Sequence, residues 1–186
     1  MGDKLIKRRR LTMSWNFEKE EQWLNDQSRQ GLHFKKASMI SSFFARDESV
    51  QYTYRLDYQT GQTIGNSKFQ EYLDLYQDAG WEYVSSYGST WHYFRKVWEP
   101  GEQPQLYTDR ESLMMLYKRL QRVMGAMLFL NLFIMIINMV NLNTFFTERL
   151  WTIGIPMMTL YVGLFGVLGY GCWRMQKKVN ELKLHG

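Results

Sequence analysis

Only one cysteine occurs among the 186 residues, Cys172, and only three histidines, His33, His92 and His185. One thiol makes no intrachain disulfide and no thiolate cluster, so the fold is expected to be independent of an oxidising compartment. The histidines stand singly, without an HxxxH pair or a cysteine at ligand spacing, which speaks against a zinc site. No glycine-rich phosphate loop and no nucleophile elbow is present. The carboxylates that do crowd together, Glu18, Glu20 and Glu21, fall at the start of an expected helix, where the helix dipole favours them. The expectation is a protein that is not an enzyme and holds no cofactor and no metal. His33 and His92 are expected as exposed strand residues, and Cys172 as a small residue in a helix interface.

Charge is the next thing missing, and its absence is local. Residues 123–142 and about 152–173 contain no Asp, Glu, Lys or Arg. As helices each would span on the order of 30 Å, the thickness of a bilayer core, and would be apolar on every side. They read as a two-helix transmembrane hairpin. The net charge of +5 divides unevenly along the chain. Residues 1–14 carry about +4 and residues 15–109 about −5, and the rest of the excess lies beside the apolar segments. A basic pI of about 9.2 would suit nucleic acid only with a positive patch on the folded body, and that body is acidic, so no nucleic-acid partner is expected. The basic start is not followed by the apolar core of a secretory signal, and Ile6 stands where myristoylation needs Ser or Thr.

What is present begins with a basic arm, residues 1–14, with Lys7, Arg8, Arg9 and Arg10 leading into a strand near 11–15. Two readings are open for the arm: a solvated terminus, or contact with anionic lipid. Asn16 is a good N-cap for a helix over 17–30, which Gly31 would end in a left-handed conformation. Strands are expected at 32–37 and 40–46. Over 50–59 apolar and polar residues alternate strictly, which predicts a half-buried strand with its aromatics toward the core. Arg55 and Asp57 fall on its polar face, as candidates to pair across the sheet or to meet a partner. Phe69, Tyr72, Leu73 and Tyr76 repeat at helical spacing over 67–79, and strands follow at 81–87 and 90–98 around Gly88 and Ser89.

These elements repeat at an offset of 49 residues: Trp23-Leu24-Asn25 with Tyr72-Leu73-Asp74, Gly31-Leu32-His33-Phe34 with Gly80-Trp81-Glu82-Tyr83, and Phe44-Ala45-Arg46 with Tyr93-Phe94-Arg95. The repeat predicts an α+β domain over 15–98, made of two strand–helix–strand–strand units (about 11–46 and 50–98), with an antiparallel sheet and two helices on one face. A linker follows at 99–107. Thr108 and Glu111 form a capping box for a helix over 108–142 that is transmembrane from about 123. A turn at 143–151, a second span at 152–173 and a basic tail at 174–186 complete the chain. Lys118, Arg119 and Arg122 precede the first span, and Arg174, Lys177 and Lys178 follow the second. By the positive-inside rule both termini are cytoplasmic and the turn is outside. Asn131, Asn138 and Asn141 share a helix face, and Thr159, Gly163, Gly166 and Gly169 offer close approach on the second span. That face is expected to pack within the hairpin or, alternatively, to drive homo- or hetero-oligomers.

Several motifs in fixed order carry a resemblance: Asn16-Phe17-Glu18-Lys19-Glu20-Glu21-Gln22-Trp23-Leu24-Asn25, Tyr52-Thr53-Tyr54-Arg55-Leu56-Asp57, Ala79-Gly80-Trp81-Glu82-Tyr83, Trp91-His92-Tyr93-Phe94-Arg95-Lys96 and Leu106-Tyr107-Thr108-Asp109-Arg110-Glu111-Ser112. Over about residues 14–122 the chain resembles an uncharacterised family of Gram-positive bacterial membrane proteins, a domain of unknown function often encoded beside PadR-type transcriptional regulators. The resemblance implies a membrane-associated regulatory role and supplies no catalytic residues. The expected function is that of a membrane-anchored regulatory or sensor protein whose cytosolic domain binds a protein partner or ligand. The alternative is a small accessory subunit of a transporter or envelope complex.

Overall fold

The computed structural model describes residues 5–61, 67–102, 104–107, 110–145 and 150–184. The chain forms two compact units, Met1–Thr108 and Asp109–Gly186. The first is α+β. Its elements in order are β1 (Ile6–Arg9), a 3-10 turn (Ser14–Asn16), α1 (Phe17–Arg29), β2 (Leu32–Ser38), β3 (Ser41–Arg46), β4 (Tyr52–Tyr58), α2 (Ser67–Asp78), β5 (Glu82–Tyr87) and β6 (Trp91–Val97). The basic stretch expected as an arm is itself the first strand, and residues 11–13 that follow it are not. Asn16 makes no side-chain cap to α1, and its Oδ1 is buried without a hydrogen-bond partner among the described residues, because the 3-10 turn carries the chain into the helix instead.

The duplication holds in detail. Gly31 and Gly80, at the predicted offset, both adopt positive φ, 70° and 81°. Each ends its helix where a left-handed residue is needed. The register shifts by one residue between Phe34 and Lys36 in β2, and again between Tyr83 and Ser85 in β5. The two bulges stand at equivalent places in the repeats. The strands pair as two three-stranded antiparallel sheets, β1-β3-β2 and β4-β6-β5, where the repeat implied a single one. β2 and β5 approach one another side by side. Both carry a bulge, which bends a strand and interrupts its ladder.

The helices also divide the faces of the second sheet rather than sharing one. Phe17 and Glu20 of α1 meet Trp91 and Tyr93, while Phe69 and Tyr72 of α2 meet His92 and Phe94 on the opposite side. β4 is therefore covered on both faces, and Thr53, Tyr54, Leu56, Asp57 and Tyr58 are all buried. The aromatic alternation does face the core, as expected. Phe34 of the first repeat joins the two sheets, lying 4.6 Å from the Tyr93 ring and giving its backbone N–H to the Tyr54 hydroxyl at 3.0 Å.

The second unit is a helical hairpin of α3 (Arg110–Phe145) and α4 (Leu150–Leu184). Two helices long and apolar enough to cross a membrane occur here. The Thr108 cap, His185 and residues 146–149 of the expected turn lie outside the described residues, and residues 143–145 and 150–151 of that turn are helix. Less exposed positions recur on α3 at 120, 124, 128, 131, 135, 138 and 142 and on α4 at 154, 157, 161, 165, 168, 172, 175 and 179. Spacing of three and four is the seam of a left-handed helix pair. Away from the seam the surface is aliphatic and aromatic, with Phe129 and Leu160 each 75% exposed. The tail expected after 173 continues as helix, since no glycine or proline interrupts residues 174–184.

The paired glycines give a comparative test. A Cβ at Gly31 would stand 2.7 Å from Glu48 Cγ and 3.2 Å from the Asp47 carbonyl, whereas at Gly80 it would meet the end of the Lys96 side chain, Cε at 3.5 Å and Nζ at 3.7 Å. G80A is expected to cost about 1 kcal/mol for its backbone conformation alone, and G31A at least about 1 kcal/mol more. Denaturant titration of each variant, followed by tryptophan fluorescence, measures the difference; equal costs would contradict it.

Candidate functional site

β4 and β6 pair so that Asp57 stands opposite His92. Asp57 is fully buried and accepts from every side. Tyr72 and Tyr76, one turn apart on α2, donate their hydroxyls to Oδ2 at 2.8 and 3.1 Å, and Gln59 adds its amide at 3.0 Å. The Tyr107 hydroxyl donates to Oδ1 from the segment that leaves the domain. Leu106 beside it is buried with Phe69, Tyr72, Trp81 and Phe94. The predicted stripe of α2 is therefore a core face that also delivers hydroxyls. A carboxylate gains most from such donors when water is excluded. Burial first, and the adjacent carboxylate second, hold the Tyr72 phenol far above its ordinary range, so it stays a donor. With its oxygens engaged and no solvent contact, Asp57 works as a clamp on α2 and on the outgoing chain.

His92 is 1% exposed, with its ring among Phe69, Tyr72 and Tyr83. Neither ring nitrogen has a hydrogen-bond partner among the described residues. Burial lowers its pKa against the pull of Asp57, which leaves the imidazole neutral near pH 7. His33 is buried too, and its Nε2 meets the Asp47 carbonyl at 2.7 Å. Both histidines were expected at the surface. The sheet face that carries them is covered in each repeat, which strand alternation alone does not reveal.

A second polar array closes the open edge of β4. The backbone N–H groups of Tyr52, Tyr54 and Leu56 donate to Ser28 Oγ, Asn25 Oδ1 and Glu21 Oε1, at 2.8, 2.6 and 2.8 Å. Positions 21, 25 and 28 share one helix face, and 52, 54 and 56 share one strand edge, so α1 supplies the partners that a further strand would give. Burial pushes Glu21 up to about 8, despite the Arg55 guanidinium beside it at 3.9 Å. Arg55 is only 13% exposed and also donates to the Tyr54 carbonyl. Arg55 and Asp57 thus do not form a partner surface: both are drawn inward by helices that cover the strand. Glu20 lines a small, partly open cavity of about 90 Å³ with Arg10, Trp23, Ser42, Trp91 and Tyr93. Burial raises Glu20, which accepts from Tyr93 at 2.9 Å.

In the hairpin, Asn138 donates to the Tyr161 hydroxyl across the seam at 2.7 Å. Asn131 and Thr159 bond instead to carbonyls of their own helices, those of Met127 and Ile155. Asn141 is exposed, and a Cβ on Gly163, Gly166 or Gly169 would meet nothing within 4 Å among the described residues. The expected glycine interface with α3 is therefore not made. The close approach falls at Gly154, where a Cβ would lie 3.3 Å from Leu142. Lys118, Arg119 and Arg122 come level with Arg174, Lys177 and Lys178, around a Gln121–Gln176 hydrogen bond of 2.9 Å.

Two predictions follow from the polar arrays. Y72F and Y107F each remove a donor to a buried carboxylate and should cost about 1–3 kcal/mol, with a double-mutant coupling above about 0.5 kcal/mol; strict additivity in denaturation would refute a shared hub. The folded chain binds the Glu21 proton more tightly than the unfolded chain, because its pKa is raised from 4.5 to about 8. Its stabilising contribution is full below the unfolded value and is lost as the pH rises through the folded one. E21Q should flatten the stability profile between about pH 5 and 8 and be more stable than the native chain at about pH 8, by on the order of 1 kcal/mol. An unchanged slope in pH-dependent melting would contradict this.

Among known proteins, no curated protein and no solved structure matches the chain. A family does match, over residues 16–129, more than half of the sequence. The matched span runs from the start of α1, through the Asp57 hub and Tyr107, into the first apolar helix. On that match, the chain belongs to the family described as a protein of unknown function, DUF2812.

Proposed function

We propose that this protein is a non-enzymatic, membrane-anchored regulatory protein. The hairpin sits in a bacterial cell membrane with both termini cytoplasmic, and the α+β domain binds a protein partner in the cytosol. One observation carries this reading: the chain leaves the domain through Leu106 and Tyr107, both tied to the core around Asp57, directly before the helix that becomes the first span. A partner that shifts α2 disturbs the donors Tyr72 and Tyr76, and so the grip on Tyr107. The level basic clusters at one end of the hairpin support the orientation. The family resemblance points to a transcriptional regulator of the PadR type as the partner class.

A second reading, a subunit assembled through its spans, is favoured by the open face at Gly163, Gly166 and Gly169. Purification of the intact chain from native membranes in mild detergent separates the two. The regulatory reading expects a cytosolic partner that is lost in D57N and Y107F but kept in G163L/G166L. The subunit reading expects the reverse, with a membrane protein as partner. Finding no partner, and no transcriptional change on deletion of the gene, contradicts the regulatory reading.

A further inference from the structure

Strands β1, β2 and β3 carry Lys7, Arg8, Arg9, Lys35, Lys36 and Arg46 but no Asp or Glu, whereas the other sheet carries both signs. Arg46 is paired with Glu48 at 2.6 Å; the other five are exposed. Lys7 and Lys36 flank the Phe43 ring at 5.9 and 5.3 Å, and Arg9 follows Lys7 on the same outer face. At one end of this sheet the chain leaving β1 runs past the β2–β3 turn, with the Arg10 N–H on the Ile40 carbonyl at 3.1 Å. Leu11, Met13, Met39 and Ile40 are exposed there, at 66, 41, 69 and 54%.

We propose that this face docks on the anionic lipid surface of the membrane, with Met39 and Ile40 entering the headgroup layer and Lys7, Arg9 and Lys36 meeting lipid phosphates. Apolar side chains that protrude beside a basic face whose strands carry no carboxylate match the chemistry of an anionic interface, which rewards both. Nucleic acid would engage the cations but would gain nothing from four exposed apolar side chains. The inference rests on the membrane reading of the hairpin, which keeps the domain within reach of the bilayer. Each basic residue near such a surface is worth about fivefold in binding.

The test uses the full chain in nanodiscs of phosphatidylcholine alone, or with phosphatidylglycerol as a third of the lipid, read by hydrogen exchange. Residues 5–13 and 35–43 should be protected on the anionic discs and not on the neutral ones. Protection should fall with salt, and at least tenfold in K7E/R9E/K36E and in M39S/I40S. Unchanged exchange in β4 and β6 certifies that each variant is folded; a variant that loses it is replaced by K7Q/R9Q/K36Q. A chain that inserts but shows equal protection on both discs overturns this inference alone. A chain that inserts into neither overturns the membrane reading and this inference with it. Protection by a single-stranded oligonucleotide in detergent, without any by anionic lipid, assigns the face to nucleic acid and also overturns it.

Discussion

A carboxylate taken out of water costs several kcal/mol unless hydrogen bonds replace its hydration. Asp57 sits on the aromatic edge strand β4 with no solvent contact, and its replacement shell comes from three places in the chain, two of them distant in sequence. Gln59 arrives from the end of its own strand, Tyr72 and Tyr76 from α2, and Tyr107 from the exit segment. Three donors share Oδ2 and Tyr107 serves Oδ1, so each donor that leaves takes away part of what replaces the carboxylate's hydration. The position of α2 against the second sheet, and the path by which the chain departs toward the hairpin, therefore depend on one side chain. His92, facing that same carboxylate across the ladder and without a hydrogen-bond partner among the described residues, is a local cost the fold carries beside its clamp.

The same logic of replacement governs the edge of β4. An open strand edge invites pairing with another chain. Here Ser28, Asn25 and Glu21 take up alternate N–H groups of the strand, so a helix finishes the sheet where the second repeat has no further strand to offer. At the other edge, β1 is protected by charge: Lys7, Arg8 and Arg9 disfavour strand addition even as they create a basic face.

Element identity and the duplication were legible in the sequence because they rest on local rules. Helical spacing marked α2, glycines marked both helix ends, and strict alternation marked β4. The offset of 49 residues carried down to the positive φ of Gly31 and Gly80 and to the paired bulges. What stayed hidden was the layer above. Alternation places Asp57 and His92 on a polar face, and only the tertiary arrival of Tyr72, Tyr76 and Tyr107 turns that face into core. The signal available beforehand was faint: an aspartate inside an aromatic strand, and tyrosines where an ordinary core stripe would use Leu or Phe. Likewise a basic terminus with Ile6 in it reads as an arm until β3 is present to pair with it. In the hairpin, the seven-residue spacing of Asn131 and Asn138 pointed to the seam, but glycine spacing did not. Gly163, Gly166 and Gly169 lie off the contact stripe, and Gly154 makes the approach they were expected to make.

Asp57 ties α2 and the exit segment into one unit. Amide hydrogen exchange on the intact protein in detergent tests it most directly, comparing the native chain with D57N. In D57N, exchange is expected to quicken together in α2 and at residues 105–107, with the β1–β3–β2 sheet unchanged. Faster exchange confined to β4, with the exit segment as protected as before, would contradict it.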